Sequence, residues 1–155
     1  MKIQWKQLII RLLVPLLGGA LVALYTNGSM QGVYNTIDRP PFSPPPWVFP
    51  VVWTVLYLLM GYASYLVAEK GGEGAEKALF FYHVQLLLNF LWPVLFFKFE
   101  LFFAAAVEIV LLLIFLAVTT VLFWKVRPAA GALMLPYLAW TVFASYLCIA
   151  TAVLN

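Results

Sequence analysis

The residues of this chain with the most evident chemical use are aromatic residues inside long apolar runs. Tryptophans lie within three of these runs, and residues three or four positions away on a helix share a face with each of them. The three faces comprise Trp53, Tyr57 and Gly61; Asn89, Trp92 and Phe96; and Trp140, Ala144 and Leu147. Large rings beside small or polar residues could surround a flat, apolar ligand. Ordinary packing between helices produces the same pattern, so both interpretations stay open.

Two polar residues lie where a membrane interior would normally exclude them. Glu108 is about a third of the way into the fourth apolar run, where a charge is costly unless it is paired, protonated or hydrated. It could contact a ligand, take part in proton transfer or bond to a neighbouring helix. Asn89 can donate and accept hydrogen bonds, so it could join two helices or orient a ligand. His83 lies on another face and is expected near the membrane interface.

The titratable residues do not support an acid–base enzyme. The sequence offers no nucleophile beside a base, no phosphate-binding loop and no paired carboxylates. One histidine, His83, and one cysteine, Cys148, are too few for a typical zinc or iron site, so we expect no metal and no required cofactor. The net charge of +3 comes from scattered basic residues, which suits membrane lipid and argues against nucleic acid as a partner.

The elements that must position these residues are transmembrane helices. Hydrophobic residues make up 65% of the 155 residues and charged residues only 10%, far from the composition of a soluble domain. Five apolar runs cover about 8–25, 47–68, 78–97, 101–124 and 129–154, and each could cross about 30 Å of hydrocarbon as a helix. Backbone polar groups must pair internally in lipid. The predicted fold class is therefore an all-α membrane protein, a bundle of five transmembrane helices in one domain, residues 1–155.

The link between the first two helices is expected to be a long proline-rich loop at about 26–46. The stretch that begins in this loop and continues into the second apolar run reads RPPFSPPPWVFPVVW and contains six prolines. Proline fixes the φ angle, and the aromatic residues Tyr34, Phe42 and Trp47 argue against disorder. A loop of this length inside a compact domain is usually functional, so we expect it to cap a site.

The basic residues predict the orientation in the membrane. With five crossings, the N-terminus and the links after the second and fourth helices share one side. Two basic residues, Arg39 and Lys98, fall on the opposite side. Seven fall on the side of the N-terminus: Lys2, Lys6, Arg11, Lys70, Lys77, Lys125 and Arg127. The positive-inside tendency therefore predicts a cytoplasmic N-terminus and a C-terminus outside.

Three motifs, in this order, resemble the TspO/translocator protein family (TspO/MBR), which includes tryptophan-rich sensory proteins and peripheral-type benzodiazepine receptors. The first is RPPFSPPPWVFPVVWTVLYLLMGYA, which has the family's P-P…P-x-x-W spacing. The second is NFLWPVLFF, and the third is PYLAWTVFASYL. The resemblance covers about residues 34–155, which is most of the chain.

The resemblance implies a five-helix protein, commonly a homodimer, whose pocket opens near the first loop. Its ligands would be porphyrin-type tetrapyrroles such as protoporphyrin IX and haem, and translocator-protein drugs. Some members are associated with light- and oxygen-dependent porphyrin degradation, in which Trp53 and Trp140 would take part here. By position in the motifs, the implied ligand-binding residues are Tyr34 and Pro44 from the loop, and Trp53, Asn89, Trp92, Glu108, Trp140 and Ala144 from the helices.

Two alternative functions remain open, a transporter of tetrapyrroles or other small molecules and a membrane stress sensor that acts through a partner. The chain also departs from the family pattern at three places. Phe42 stands where the family usually has tryptophan, and Cys148 stands where animal members have asparagine. Pro93 follows Trp92 where many members have serine or threonine, and it is expected to kink the third helix.

Overall fold

The computed structural model describes residues 2–155, and these residues form five long helices. The helices are α1 (Trp5–Thr36), α2 (Val48–Lys70), α3 (Glu73–Pro93), α4 (Phe102–Val126) and α5 (Pro128–Leu154), with a π-helical turn at Val94–Lys98 that continues α3. All five are long and apolar enough to cross a membrane. No strand is present in the described part of the chain. The all-helical, five-span prediction is confirmed, and the protein is an integral multi-pass membrane protein.

The distribution of side chains is that of a bundle in lipid. Large apolar residues such as Leu24, Phe103 and Val153 are at least three-quarters exposed on the outer surface. Several tyrosine side chains, together with Gln85 and Asn89, are instead buried between the helices, where polar groups can bond to one another. The apolar composition therefore supplies the lipid-facing surface, and much of the specificity of the interior comes from polar groups.

The helices are arranged in the order α1, α2, α5, α4, α3 around the bundle, with α3 returning to α1. Glycine permits the closest approaches. A Cβ atom on Gly61 of α2 would lie only 2.7 Å from the backbone oxygen of Arg11 on α1, and one on Gly131 of α5 would lie 2.7 Å from the Cα of Trp124 on α4. These contacts bring backbones together where a larger side chain would hold the helices apart.

The predicted end of the first helix was wrong, because α1 continues to Thr36 and the loop covers only residues 37–47. A helix of 32 residues is about 48 Å long, which exceeds the roughly 30 Å of hydrocarbon. Hydropathy marks the part of a helix that lies in lipid, whereas the polar continuation TNGSMQGVYNT remains helical because it contains no proline. Tyr34 consequently lies on α1 and not in the loop.

The third helix also begins earlier than predicted, at Glu73 rather than at residue 78. Gly71 and Gly72 both have positive φ angles and make the turn that ends α2. Glu73 and Glu76 then occupy the first turn of α3, where negative charge is favourable at a helix N-terminus. The remaining helix ends agree with the prediction to within about three residues.

Pro93 is followed by a π-helical turn. Its nitrogen cannot donate to the carbonyl of Asn89, which interrupts the α-helical bonding pattern. The bonds widen after it, and the N–H of Phe99 donates to the carbonyl of Val94 at 3.1 Å. This turn places the rings of Phe96 and Phe97 inside the bundle, where both are buried.

Candidate ligand-binding site

A cavity of about 210 Å³ lies between α1, α2 and α3, and we call it the central cavity. Its walls are mostly apolar and aromatic. Its lining residues are Gly19, Val22, Ala23, Thr26, Asn27, Met30, Phe49, Pro50, Trp53, Tyr57, Asn89, Trp92, Pro93 and Phe97. The structure thus brings the predicted residues Trp53, Asn89 and Trp92 together around one space.

Part of the α1 wall of the central cavity lies beyond residue 25, the predicted end of the first helix. Ala23, Thr26, Asn27 and Met30 follow one another at helical spacing and face the cavity. Thr26, Asn27 and Met30 were not expected on this wall, because the sequence predicted a loop from about residue 26 onward. Their spacing of three, four and seven residues was the signal that could have identified them.

The floor of the central cavity is a chain of hydrogen bonds between α2, α3 and α5. The Tyr57 hydroxyl donates to Asn89 Oδ1 at 2.8 Å, and Asn89 Nδ2 donates to the Tyr137 hydroxyl at 2.7 Å. Tyr137 in turn donates to Gln85 Oε1 at 2.7 Å. Asn89 therefore joins helices, as one interpretation of its sequence position expected, and it also borders the cavity. Its contact with a ligand remains a prediction. Its remaining amide hydrogen and oxygen lone pair are the groups that it could offer a ligand.

Trp92 is held firmly at the wall. Its Nε1 donates to the sulfur of Cys148 on α5 at 3.3 Å, and its ring stacks on Phe96 with centroids 5.2 Å apart. Cys148 is thus the hydrogen-bond acceptor for the cavity tryptophan. Trp53 faces the same space from α2, and its ring lies edge-on to that of Tyr137 at 6.1 Å.

A smaller cavity, of about 40 Å³, lies beneath the α1–α2 loop. We call it the sub-loop cavity, and it extends towards α5, where Ala144 and Leu147 line it together with Tyr34. Three aromatic residues line both cavities and separate them: Phe49, Trp92 and Phe97. The two spaces are therefore adjacent compartments with an aromatic partition between them.

Three side chains fasten the α1–α2 loop over these cavities. The Tyr34 hydroxyl of α1 donates to the backbone oxygen of Pro44, and the Tyr146 hydroxyl of α5 donates to that of Pro41 at 2.9 Å. The side chain of Asn155 accepts from the N–H of Asp38 and donates to its carbonyl, both at 3.1 Å. Pro44 thus holds Tyr34 in place through its backbone. The loop has the form of a lid attached to α1 and α5.

Three of the predicted ligand-binding residues, Pro44, Trp140 and Glu108, line neither cavity. Pro44 contributes the backbone contact with Tyr34, and its own contact with ligand remains a prediction. Trp140 lies behind the partition, with its ring edge-on to Phe49 at 6.0 Å. Its indole Nε1 is buried and has no hydrogen-bond partner among the described residues. Glu108 is buried on α4, which contributes none of the described lining residues, and its two carboxylate oxygens likewise have no partner in residues 2–155. A contact of either residue with ligand remains a prediction.

The arrangement suits binding by apolar contact. Rings from α2, α3 and the π-helical turn form much of the walls, and polar groups are few and located at fixed positions. Phe49 and Phe97 were missed because their importance depends on how the two cavities meet. No local sequence signal distinguished them from other phenylalanines of the chain.

Comparison with known proteins gives a consistent result. The sequence profile of the TspO/MBR family matches residues 11–154. The chain is 41% identical to the Translocator protein of Bos taurus over 138 residues, which is 87% of this chain and 82% of that protein. It is 38% identical to the Tryptophan-rich protein TspO of Archaeoglobus fulgidus over 151 residues, 96% of this chain and 97% of that protein. A Tryptophan-rich sensory protein of Cereibacter sphaeroides is 38% identical over 112 residues, 72% of this chain and 70% of that protein.

Proposed function

Because the chain belongs to the TspO/MBR family, we propose that it binds a flat tetrapyrrole, such as protoporphyrin IX or haem, beneath the α1–α2 loop. The observation that carries this proposal is the aromatic central cavity with its continuation under the loop. Rings such as Trp53, Tyr57 and Trp92 present the apolar surface that a macrocycle needs. Flat aromatic drugs that bind translocator proteins would use the same surface.

Binding would require the two cavities to join. At about 210 Å³ the central cavity is smaller than the roughly 300–1,000 Å³ of a typical small-molecule pocket. Within the partition, Trp92 is held by its bond to Cys148, and Phe97 is buried against other rings. Phe49 is only partly buried, and its ring pairs are two edge contacts at about 6 Å, so we expect it to be the residue that moves most readily.

Displacing Phe49 would extend the pocket from Tyr57 towards Ala144. A ligand in the joined pocket would then reach Ala144, whose small side chain leaves space beneath the loop. It would also approach the ring of Trp140, which now lies against Phe49. The predicted roles of Trp140 and Ala144 therefore both depend on this one movement.

Polar groups at both ends of the pocket could orient a tetrapyrrole. Arg39 lines the sub-loop cavity, and its guanidinium lies 4.8 Å from the centre of the Tyr34 ring. An arginine there could pair with a propionate carboxylate. At the other end, the free hydrogen-bonding groups of Asn89 could meet a ring nitrogen or a substituent. Apolar contact would supply most of the affinity, and these groups would select the orientation.

Light-driven degradation of bound porphyrin, with dioxygen as the oxidant, is an extension of this proposal. Trp53 lines the central cavity, so its indole would contact the macrocycle directly. Trp140 would do so only after Phe49 had moved. Substituting phenylalanine at each position should slow the light-driven loss of porphyrin absorbance, with the larger effect at Trp53. Equal rates in both variants and the parent protein would contradict a role for tryptophan.

The binding proposal is tested by titrating the full chain in detergent with protoporphyrin IX in the dark and following tryptophan fluorescence. Ala144→Leu would fill the sub-loop cavity and should weaken binding at least about fivefold. Ala104→Leu is the matched control, because Ala104 is exposed on the lipid-facing surface of α4. Equal affinities for the parent protein and the Ala144 variant would overturn the proposed location.

Transport and sensing, which the names of the relatives suggest, are the rival functions. The lid contacts described above connect the ligand region to both α1 and α5, which gives a route for sensing if a partner recognises the loop. Transport would require the tetrapyrrole to leave through the opposite end of the bundle. Porphyrin flux into sealed vesicles and co-purification of a partner would distinguish the three functions.

The orientation and assembly are part of the same proposal. We place the N-terminus in the cytoplasm, which puts the lid on the outer side, and we propose a homodimer. Single cysteines introduced at Lys125 and at Phe42, in a chain lacking Cys148, should differ in labelling by a membrane-impermeant thiol reagent added to intact cells. Labelling at Lys125 alone would reverse the orientation. Crosslinking in native membranes tests the dimer.

A further inference from the structure

A second and larger cavity lies on the other side of the bundle from the lid. It is a groove of about 700 Å³ between the start of α1 and the middle of α3, with α2 beneath it. We call it the basal groove, and it has no lining residue in common with the central cavity. Its lining residues are Gln4, Trp5, Lys6, Gln7, Ile10, Arg11, Val14, Ser64, Tyr82 and His83.

The basal groove exists because α1 and α3 diverge from one close contact. A Cβ atom on Gly18 of α1 would lie 2.4 Å from the ring of Phe90 on α3. Every groove residue of α1 precedes Gly18, and both groove residues of α3 precede Phe90. At the far end, the backbone N–H of Gln4 donates to the hydroxyl of Tyr65 on α2 at 3.0 Å. The start of α1 is therefore attached to α2, which leaves the gap towards α3 open.

The groove is positively charged and contains no acid. Lys6 and Arg11 line it, and no aspartate or glutamate does so among the described residues. In residues 2–155, no carboxylate lies within ion-pair distance of either cation. Arg11 is half-buried within a membrane-spanning helix, where a charge without a partner is costly. The described residues thus present two cations to the groove and supply no carboxylate for them.

The inner wall of the groove adds hydroxyl groups. Tyr82 is 1% exposed, and its ring stacks on Phe123 with centroids 5.7 Å apart. Its hydroxyl lies beside that of Ser64 but makes no hydrogen bond of ordinary geometry. Ser64 donates to the carbonyl of Gly61 at 2.8 Å, and the Tyr82 hydroxyl has no hydrogen-bond partner in residues 2–155, so its hydrogen is available to donate. A buried donor that lines the same groove as two cations is suited to an anion that enters from outside.

The outer part of the groove is apolar and faces the lipid. Trp5, Ile10 and Val14 are between 46% and 64% exposed. Tryptophan is typical of the headgroup region of a membrane, and the aliphatic residues follow it along α1 towards the bilayer centre. The groove therefore combines the cations Lys6 and Arg11 with apolar side chains beside and beyond them, as a phospholipid combines a headgroup with acyl chains.

We propose that the basal groove binds an anionic phospholipid, with its phosphate between Lys6 and Arg11 and an acyl chain along Ile10 and Val14. The proposal does not depend on tetrapyrrole binding, because the two sites have separate linings. A free phosphate would use the cations but not the apolar surface. The combination of both favours a lipid.

The test is native mass spectrometry of the full chain in detergent with phosphatidylglycerol or phosphatidylcholine of the same acyl chains. The parent protein should retain more phosphatidylglycerol than phosphatidylcholine. Arg11→Gln and Lys6→Gln should each reduce its retention about fivefold. Lys125→Gln is the matched control, because it removes a cation from the same side of the membrane outside the groove, and it should have no effect.

Several results would overturn the proposal. These are equal retention of the two lipids, an equal loss in the Lys125 variant, and displacement of phosphatidylglycerol by inorganic phosphate at the same concentration, which would show a free-anion site. If Arg11→Gln fails to fold, Lys6→Gln and Tyr82→Phe decide, since the first is exposed and the second keeps the buried ring. Tyr82→Phe should lower lipid retention and leave the porphyrin titration unchanged.

Discussion

Removing one hydroxyl from the hydrogen-bond chain below the central cavity should destabilise the protein measurably. Tyr137 is fully buried, and its hydroxyl takes part in two bonds of 2.7 Å, one from Asn89 and one to Gln85. Tyr137→Phe keeps the ring but leaves both amides without that partner. Each bond contributes about 1 kcal/mol in soluble proteins and about 0.6 kcal/mol on average between membrane helices. We therefore expect Tyr137→Phe to lower the free energy of unfolding by about 1–2 kcal/mol.

This loss should appear as a lower unfolding temperature. For a chain of this size, 1 kcal/mol corresponds to about 2–4 °C, so we expect Tm to fall by about 2–8 °C. Cys148 gives a convenient assay, because it is the only cysteine of the chain and is buried in the folded protein. A thiol-reactive fluorescent dye will report its exposure as detergent-solubilised protein is heated.

The matched control is Tyr57→Phe, which removes a single bond, the one to Asn89 Oδ1 at 2.8 Å. Its Tm should fall by about half as much. An unchanged Tm in Tyr137→Phe, or a larger fall in Tyr57→Phe, would refute the reasoning. Either result would mean that the freed amides find other partners.

Three further predictions concern backbone contacts and the lid. Gly61→Ala should lower Tm by several degrees, because its Cβ would meet the backbone of α1 at 2.7 Å, whereas Gly28→Ala, with nothing within 4 Å, should not lower it. A Tm of Gly61→Ala equal to that of the parent would show that the helices can separate without cost. Phe42 is 86% exposed with a φ of 68°, so Phe42→Gly should raise Tm and Phe42→Ala should not. Tyr146→Phe should speed hydrogen exchange in the loop, because the bond to Pro41 is lost, and it should change Tm little. An equal increase in exchange across the whole chain would contradict a local role.

The transmembrane helices could be predicted well, because a helix that crosses lipid must consist mainly of apolar residues. A run of apolar residues long enough to cross the hydrocarbon must be helical, and four of the five predicted spans agree with the helices apart from their ends. The exception was α1. Its last third lies beyond the apolar run, where composition no longer distinguishes helix from loop. Only the spacing of Ala23, Thr26 and Met30 carried that information.

The candidate site could be predicted only in part. Resemblance to the family indicated Trp53, Asn89 and Trp92, and all three line the central cavity. It could not show that Trp140 is separated from that cavity by Phe49, because the position of a ring in the first turn of α2 depends on the packing of four helices. Glu108 is a different case. The apolar residues around it predicted that it lies inside the membrane, whereas its lack of a hydrogen-bond partner among the described residues is visible only in three dimensions.

The lid and the partition are mechanically connected, and this connection has a consequence for binding. Phe49 lies two residues after the loop ends, and the loop contains five prolines, which leave its backbone few alternative conformations. If Phe49 moves to open the joined pocket, such a loop has few alternative conformations with which to follow that movement. The movement should instead be transmitted to the contacts at Tyr34, Tyr146 and Asn155. We therefore expect ligand binding to alter the ends of α1 and α5 together, since both hold the same stiff segment.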